Sequence, residues 1–335
     1  GFALSWEDMI KEVKHVERWE DWDRDDDWGL NLFIDHPGLG WHNRQERGID
    51  RRGVNTAVNA LWIVTLRAQA SLESAVGLSN RAGMLREDAD RLAERANRIF
   101  WDATRGMFAD GITDEDVTDR FSEQSNNWCV MAGLCEPTEQ AKLLRRLIES
   151  NSDSIVRSGP QFWAYLLPLM NRLGLHASAI QHIKRLWGPM VEAGTALWET
   201  FTGDEQDSLC HPWSAAPVEF LLRSVLGLNV SGLDSDLVEI RPRFDILPRA
   251  RGAAPSPRGL FEIAWKTVAN GEVFLSGRIP PGITATIIGP EGNPLKIVNA
   301  TWHCIVHPSR QYDYESIPSE PVKKNISWRK QESPL

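Results

Sequence analysis

The hydrophobic pattern changes period once along the chain, near Gly232, and that change limits the folds available to it. Before it, apolar residues recur at helical spacing. Val54, Val58, Leu61, Thr65, Leu72 and Val76 fall near one face over 54–78. Met84, Leu85, Ala89, Leu92, Ala96, Ile99 and Phe100 do the same over 81–100. Pro137 suits the first turn of a helix whose face is Ala141, Leu144, Leu147 and Ile148. Two further helices carry Trp163, Leu166, Leu167, Met170 and Leu173, then Ile180, Ile183, Leu186 and Trp187, with Gly174 between them. A last one runs from about Trp213 to Leu226 and ends at Gly227. With a leading segment, Phe2 to Trp19, and one near 122–134, the pattern predicts about eight helices joined mostly by short connections.

After Gly232 the residues alternate. Leu237 to Pro242, Leu260 to Trp265, Glu272 to Gly277 and Thr284 to Ile288 read as short strands punctuated by Gly, Pro and Ser. The expected architecture is mainly α over 1–229, followed by a small antiparallel β-sandwich over 230–298. From 299 to 335 periodicity is lost among Pro308, Pro318, Pro321 and Pro334, and a disordered tail is expected.

Composition removes several function classes. Of 335 residues, 42% are hydrophobic and 25% charged, which excludes wholesale disorder. Lys and Arg number 37 against 46 Asp and Glu, a net charge of −9, so the field that drives nucleic-acid binding is lacking. No apolar run of about twenty residues exists, so no membrane-spanning helix is expected. Gly1 is not an initiator Met, and Trp6, Glu7, Asp8 and Lys11 make the opening unlike a signal peptide, so the chain is expected to be processed or a fragment. Cys129, Cys135, Cys210 and Cys304 show no zinc spacing; one bridge and four free thiols both stay open. Sequons at Asn229, Asn299 and Asn325 lean towards an extracellular location. There are 15 Trp but only 3 Tyr, and a Trp serves equally as core bulk or as a flat apolar binding face.

Three clusters combine titratable groups with turn residues. The densest runs from Trp187 to Glu199 and sets the Glu199 carboxylate beside the Trp198 indole. An aromatic wall beside a carboxylate suits a sugar subsite, because the ring stacks on C–H faces while the carboxylate handles water or a hydroxyl. The plain alternative is a surface Glu beside a buried Trp. The second cluster is Asp204, Asp207, Ser208, Cys210, His211 and Trp213, which reads equally as a helix start with a stapling aromatic. The third is Phe33-Ile34-Asp35-His36-Pro37 with Trp41, His42, Glu46 and Asp50, either a cleft lining or a solvated loop. Asp23 to Asp27 opens like a calcium loop, but Trp28 replaces the required Gly and Ile34 the terminal Glu.

In this order and spacing, the clusters resemble the C-terminal half of α-L-rhamnosidases of glycoside hydrolase family 78 and related six-hairpin glycosidases. The resemblance covers roughly residues 30–290. It is carried by Phe33-Ile34-Asp35, Gly53 to Ala57, Trp187-Gly188, Gly194 to Glu199, Ser208 to Pro217, Val225 to Leu228, Ile240-Arg241-Pro242 and Pro255 to Gly259. It implies an (α/α)6 toroid followed by a small β-sandwich, acting on terminal α-L-rhamnosyl bonds with inversion. It maps the general base onto Glu199 and the sugar pocket onto His211 and Trp213, with Asp35, Trp41 and Trp198 as further substrate contacts. No metal or cofactor is implied, and the partner is a rhamnose-containing glycoside. The family's general acid lies in an Asp-Glu-Arg-type loop ahead of the Phe-Ile-Asp stretch. No such loop precedes Phe33 here, and Gln45-Glu46-Arg47-Gly48 lies on the other side of it. The expectation is therefore an incomplete toroid lacking the acid. An inactive sugar-binding remnant and a helical interaction module are the alternatives.

Overall fold

The computed structural model describes residues 54–112, 117–150, 155–194, 196–203, 208–229 and 236–308. The leading helix expected over Phe2 to Trp19 lies outside them, as do Asp35, Trp41 and Glu46. The chain forms two compact units, Gly1–Leu169 and Met170–Leu335.

In the first unit, strand β1 (Val54–Asn55) leads into α1 (Thr56–Ala75), whose N-cap Asn55 accepts the Val58 amide at 3.0 Å. Helix α2 (Ser79–Phe100) follows. The helix expected over 54–78 forms, but it turns a different face inward. Ala57, Ala60, Trp62, Ile63, Leu66 and Ala70 are buried with Asn59, Gln69 and Glu73, while Leu61, Leu72 and Val76 are exposed. Small and polar residues line the close approach, so summed hydrophobicity points to the wrong side. Met84, expected inward on α2, is also exposed.

Short pairs stitch the connections. β2 (Trp101–Asp102) pairs with β3 (Met107–Phe108), β4 (Gly111–Ile112) pairs with β1, and β5 (Phe121–Ser122) runs parallel to β6 (Ile155–Val156). Helix α3 (Glu123–Met131) carries a buried carboxylate, Glu123. It accepts from the Ser158 amide at 2.8 Å, the Ser158 hydroxyl at 2.6 Å and Arg157 Nη1 at 2.9 Å. Helix α4 (Pro137–Glu149) starts on proline and buries Leu143, Leu144, Leu147 and Ile148, close to the expected face. Helix α5 (Trp163–Arg172) spans the unit boundary.

The second unit contains α6 (His176–Ala193), a loop described below, and a mixed helical segment. That segment is a 3-10 turn (Pro212–Ala215), the short α7 (Ala216–Phe220) and a π-turn (Leu221–Val225). Two sheets follow. Strands β8 (Arg249–Ser256), β9 (Gly259–Thr267), β10 (Val273–Arg278) and β13 (Thr301–Val306) form one antiparallel sheet in the order β13-β10-β9-β8. Strands β7 (Leu237–Ile240), β11 (Thr284–Ile288) and β12 (Pro294–Val298) form the other in the order β12-β11-β7. Phe261, Ile263, Trp265, Val273, Leu275 and Trp302 from the first sheet, and Val238, Ile240, Ala285 and Ile287 from the second, are buried.

Two expectations change here. β7 and β11 pair in parallel, so the module is not antiparallel throughout. β13 lies inside the stretch expected to be a tail, because Trp302 supplies a buried anchor and residues 301–306 complete a ladder along β10. All four cysteines are free.

The junction from helix to sheet is tight. Gly227 has φ +75, and a Cβ there would stand 2.2–2.6 Å from the backbone of Arg241. Nearby, Arg243 forks onto Asp245 at 2.8 and 2.7 Å and donates to His176 Nδ1 at 3.1 Å, while His176 Nε2 donates to Asn171 Oδ1 at 2.6 Å. Burial, and then the Arg243 charge, push the His176 pKa down to about 4 from 6.5. The unfolded chain therefore takes up this proton first as pH falls. The stability held by neutral His176 is complete above pH 6.5, is lost between 6.5 and 4, and changes no further below 4. Urea midpoints measured over that window are expected to fall more steeply for the wild type than for His176→Gln.

Candidate active site

The loop after α6 is braced from both ends. Gly194 takes the left-handed conformation and ends the helix. The returning arms are joined by Glu199 N–H to Ser208 O at 2.8 Å and by His211 N–H to Leu197 O at 2.7 Å. Gly203, at φ +60, lies flat on the Trp198 ring, where a Cβ would stand 2.7 Å from a ring carbon.

This bracing collects three of the expected residues. Ser208 N–H donates to Glu199 Oε2 at 3.0 Å, and His211 Nδ1 lies 3.8 Å from the same oxygen. Trp213 Nε1–H donates to the Glu199 backbone carbonyl at 3.0 Å. The His211 and Trp213 rings sit 4.0 Å apart, tilted by 38°. Glu199 and His211 keep 20% and 31% of their side-chain surface open. Glu199 Oε1 has no hydrogen-bond partner among the described residues. One carboxylate oxygen is therefore anchored, and the other has no partner among the described residues, beside the paired His211 and Trp213 rings.

Trp198 departs from expectation. It is 1% exposed, so it underpins the loop and offers no ring face to a sugar. Its ring lies beneath the Gly203 backbone, while the neighbouring Glu199 side chain stays partly exposed. Asp35 and Trp41 lie outside the described residues.

Ser208 and Ser214 take positioning roles that the motif reading did not assign. Ser214, fully buried, donates its hydroxyl to the Trp198 carbonyl, and its own carbonyl accepts Trp187 Nε1–H at 2.8 Å. Trp187 in turn meets the Phe201 ring edge-on at 4.8 Å. Ser214→Ala leaves the Trp198 carbonyl without this bond in a buried site and is expected to cost about 1–3 kcal/mol, read by urea unfolding. Among the described residues, no group of three His, Cys, Asp or Glu side chains is placed to hold a metal ion.

Two family models match the chain. The bacterial alpha-L-rhamnosidase 6-hairpin glycosidase domain matches residues 3–225, and the bacterial alpha-L-rhamnosidase C-terminal domain matches residues 237–301. The chain belongs to the bacterial α-L-rhamnosidase family. Among solved structures, it is similar to the family 78 rhamnosidase of Bacillus sp. GL1, with 27% identity and a TM-score of 0.70 over 86% of this chain and 30% of that one. The native α-L-rhamnosidase of Aspergillus terreus is 15% identical, with a TM-score of 0.65 over 90% of this chain and 37% of that one. The Klebsiella oxytoca rhamnosidase with rhamnose bound is 20% identical, with a TM-score of 0.51 over 65% and 41%. The last two likenesses concern the fold alone. This rhamnosidase-family chain spans 30–41% of the length of these three structures. No curated protein matches it. The helical part followed by a sheet-rich module is the arrangement expected of the family.

Proposed function

We propose that this chain supplies the base side of an inverting α-L-rhamnosidase site, with Glu199 as general base and terminal α-L-rhamnosyl bonds as substrate. The supporting observation is the split carboxylate. Oε2 is fixed by Ser208 N–H, and Oε1 has no hydrogen-bond partner among the described residues. A general base needs a fixed position and a free lone pair within hydrogen-bond reach of the proton it takes. Glu199 would deprotonate the water attacking the anomeric carbon, while an acid on the opposite face protonates the leaving oxygen. His211 and Trp213 offer the stacked wall for the sugar's C–H face. The sugar is taken to be rhamnose by family membership and by analogy with the Klebsiella protein.

A second reading is sugar binding without hydrolysis, in which the Glu199, His211 and Trp213 cluster holds a sugar and turns nothing over. One experiment separates the two. Release of p-nitrophenol from its α-L-rhamnoside, with the β anomer of rhamnose appearing first, supports the enzyme. Saturable rhamnose binding without release supports the second reading. A Glu199→Gln variant that works at the wild-type rate would remove Glu199 from the mechanism.

A further inference from the structure

The outer face of the four-stranded sheet carries a charge arrangement that the active-site loop does not use. Strand register sets its rows. Arg249 faces Lys266, Lys266 faces Phe274, and Phe274 faces Ile305. The next row is Arg251, Ala264, Ser276 and His303, and the third is Ala253, Glu262, Arg278 and Thr301. These side chains lie opposite the buried Phe261, Ile263, Trp265, Val273 and Leu275.

Residues 236–308 contain six arginines. Four are neutralised: Arg241 by Glu239, Arg243 by Asp245, Arg258 by Asp236 and Arg278 by Glu262. Arg249 and Arg251 are not, and neither is Lys266; none of the three side chains has an ionic or hydrogen-bond partner among the described residues. Directly opposed residues in a sheet stand about 5 Å apart at Cβ, and like charges there destabilise the pair. An acidic chain thus keeps three uncompensated cations on adjoining positions. Edge protection accounts for charges on β8, the last strand of its sheet. It does not account for Lys266, which sits on β9, an interior strand, opposite Arg249. Beside the cations lies Phe274, 47% exposed, and next to it the small side chains of Ala264 and Ser276 leave a shallow floor.

We infer that this face binds a carboxylated polysaccharide, a chain of uronic acid residues. The three cations meet its carboxylates, and Phe274 stacks on a sugar ring. Charge complementarity selects a polyanion. The exposed Phe274 ring, and a glycosidase family whose substrates are sugars, select a glycan over a nucleic acid or a lipid surface. The inference rests on the proposed function only for that last choice, because its readout is binding and not turnover.

The test uses the full chain in affinity electrophoresis and calorimetry with polygalacturonate. Dextran, double-stranded DNA and phosphatidylserine vesicles serve as comparisons. Expected results are saturable binding to polygalacturonate, none to dextran, and weakening with added salt. The triple variant Arg249→Gln, Arg251→Gln, Lys266→Gln should bind at least about tenfold more weakly, and Phe274→Ala about tenfold more weakly at unchanged salt dependence. All four side chains are exposed, so the variants should fold, and rhamnoside hydrolysis should be unaffected. No binding to polygalacturonate would overturn the inference. So would binding that the triple variant or Phe274→Ala leaves intact, or tighter binding to DNA or vesicles.

Discussion

Glu199→Gln is expected to lower the turnover of an α-L-rhamnoside by about 10²–10⁴-fold, the usual contribution of a positioned general base. Gln keeps the length and planarity of the side chain, and its amide oxygen still accepts Ser208 N–H in the place of Oε2. The Trp213 bond goes to the Glu199 backbone and is untouched by the change. What is lost is the capacity of the second atom to take a proton, since an amide nitrogen has no basic lone pair. The loss should therefore appear in kcat, with KM nearly unchanged, as for an interaction made in the transition state. A rise in KM at constant kcat would make Glu199 a binding residue and transfer the base role to another group.

Gly227→Ala is expected to cost about 2–5 kcal/mol of stability, the sum of a left-handed backbone penalty and an overpacked contact. The Cβ would meet backbone atoms of Arg241, which cannot swing away as a side chain would. Arg241 also donates its amide to the Gly227 carbonyl at 3.3 Å, so relieving the clash pulls on the link into β7. The glycine joins the π-turn, which follows the Glu199 loop, to the first strand of the sheets. The variant's urea midpoint should fall by the corresponding amount. A change under about 0.5 kcal/mol, the range of an inert surface substitution, would show that the junction is loose.

The residues of the candidate site that the structure brings together lie close together along the chain. Glu199, His211 and Trp213 fall within fifteen residues, and the hairpin that gathers them is local. The bonds that fix Glu199 were not readable, because the key donor is the backbone amide of Ser208, which every residue but proline would supply. Adjacency in sequence makes Trp198 an expected wall beside Glu199, but adjacency does not imply a shared face, and the Trp198 ring is buried against Gly203. Helix α1 shows a related limit: its position followed from periodicity, but its buried side is lined by alanines, Asn59 and Gln69. Strand β8, Arg-Ala-Arg-Gly-Ala-Ala-Pro-Ser, lacks the β-branched and aromatic residues that mark a strand, and exists through its ladder with β9. The parallel pairing of β7 with β11 leaves no trace in either segment's alternation.

The Glu199 loop is proposed as a rhamnose site. Calorimetric titration of L-rhamnose into the full chain, and into His211→Ala and Trp213→Ala, tests that directly. Saturable binding to the wild type, weakened about tenfold or more in both variants, a difference of about 1.4 kcal/mol, is the expected result. No saturable binding, or binding that both variants retain in full, would contradict it.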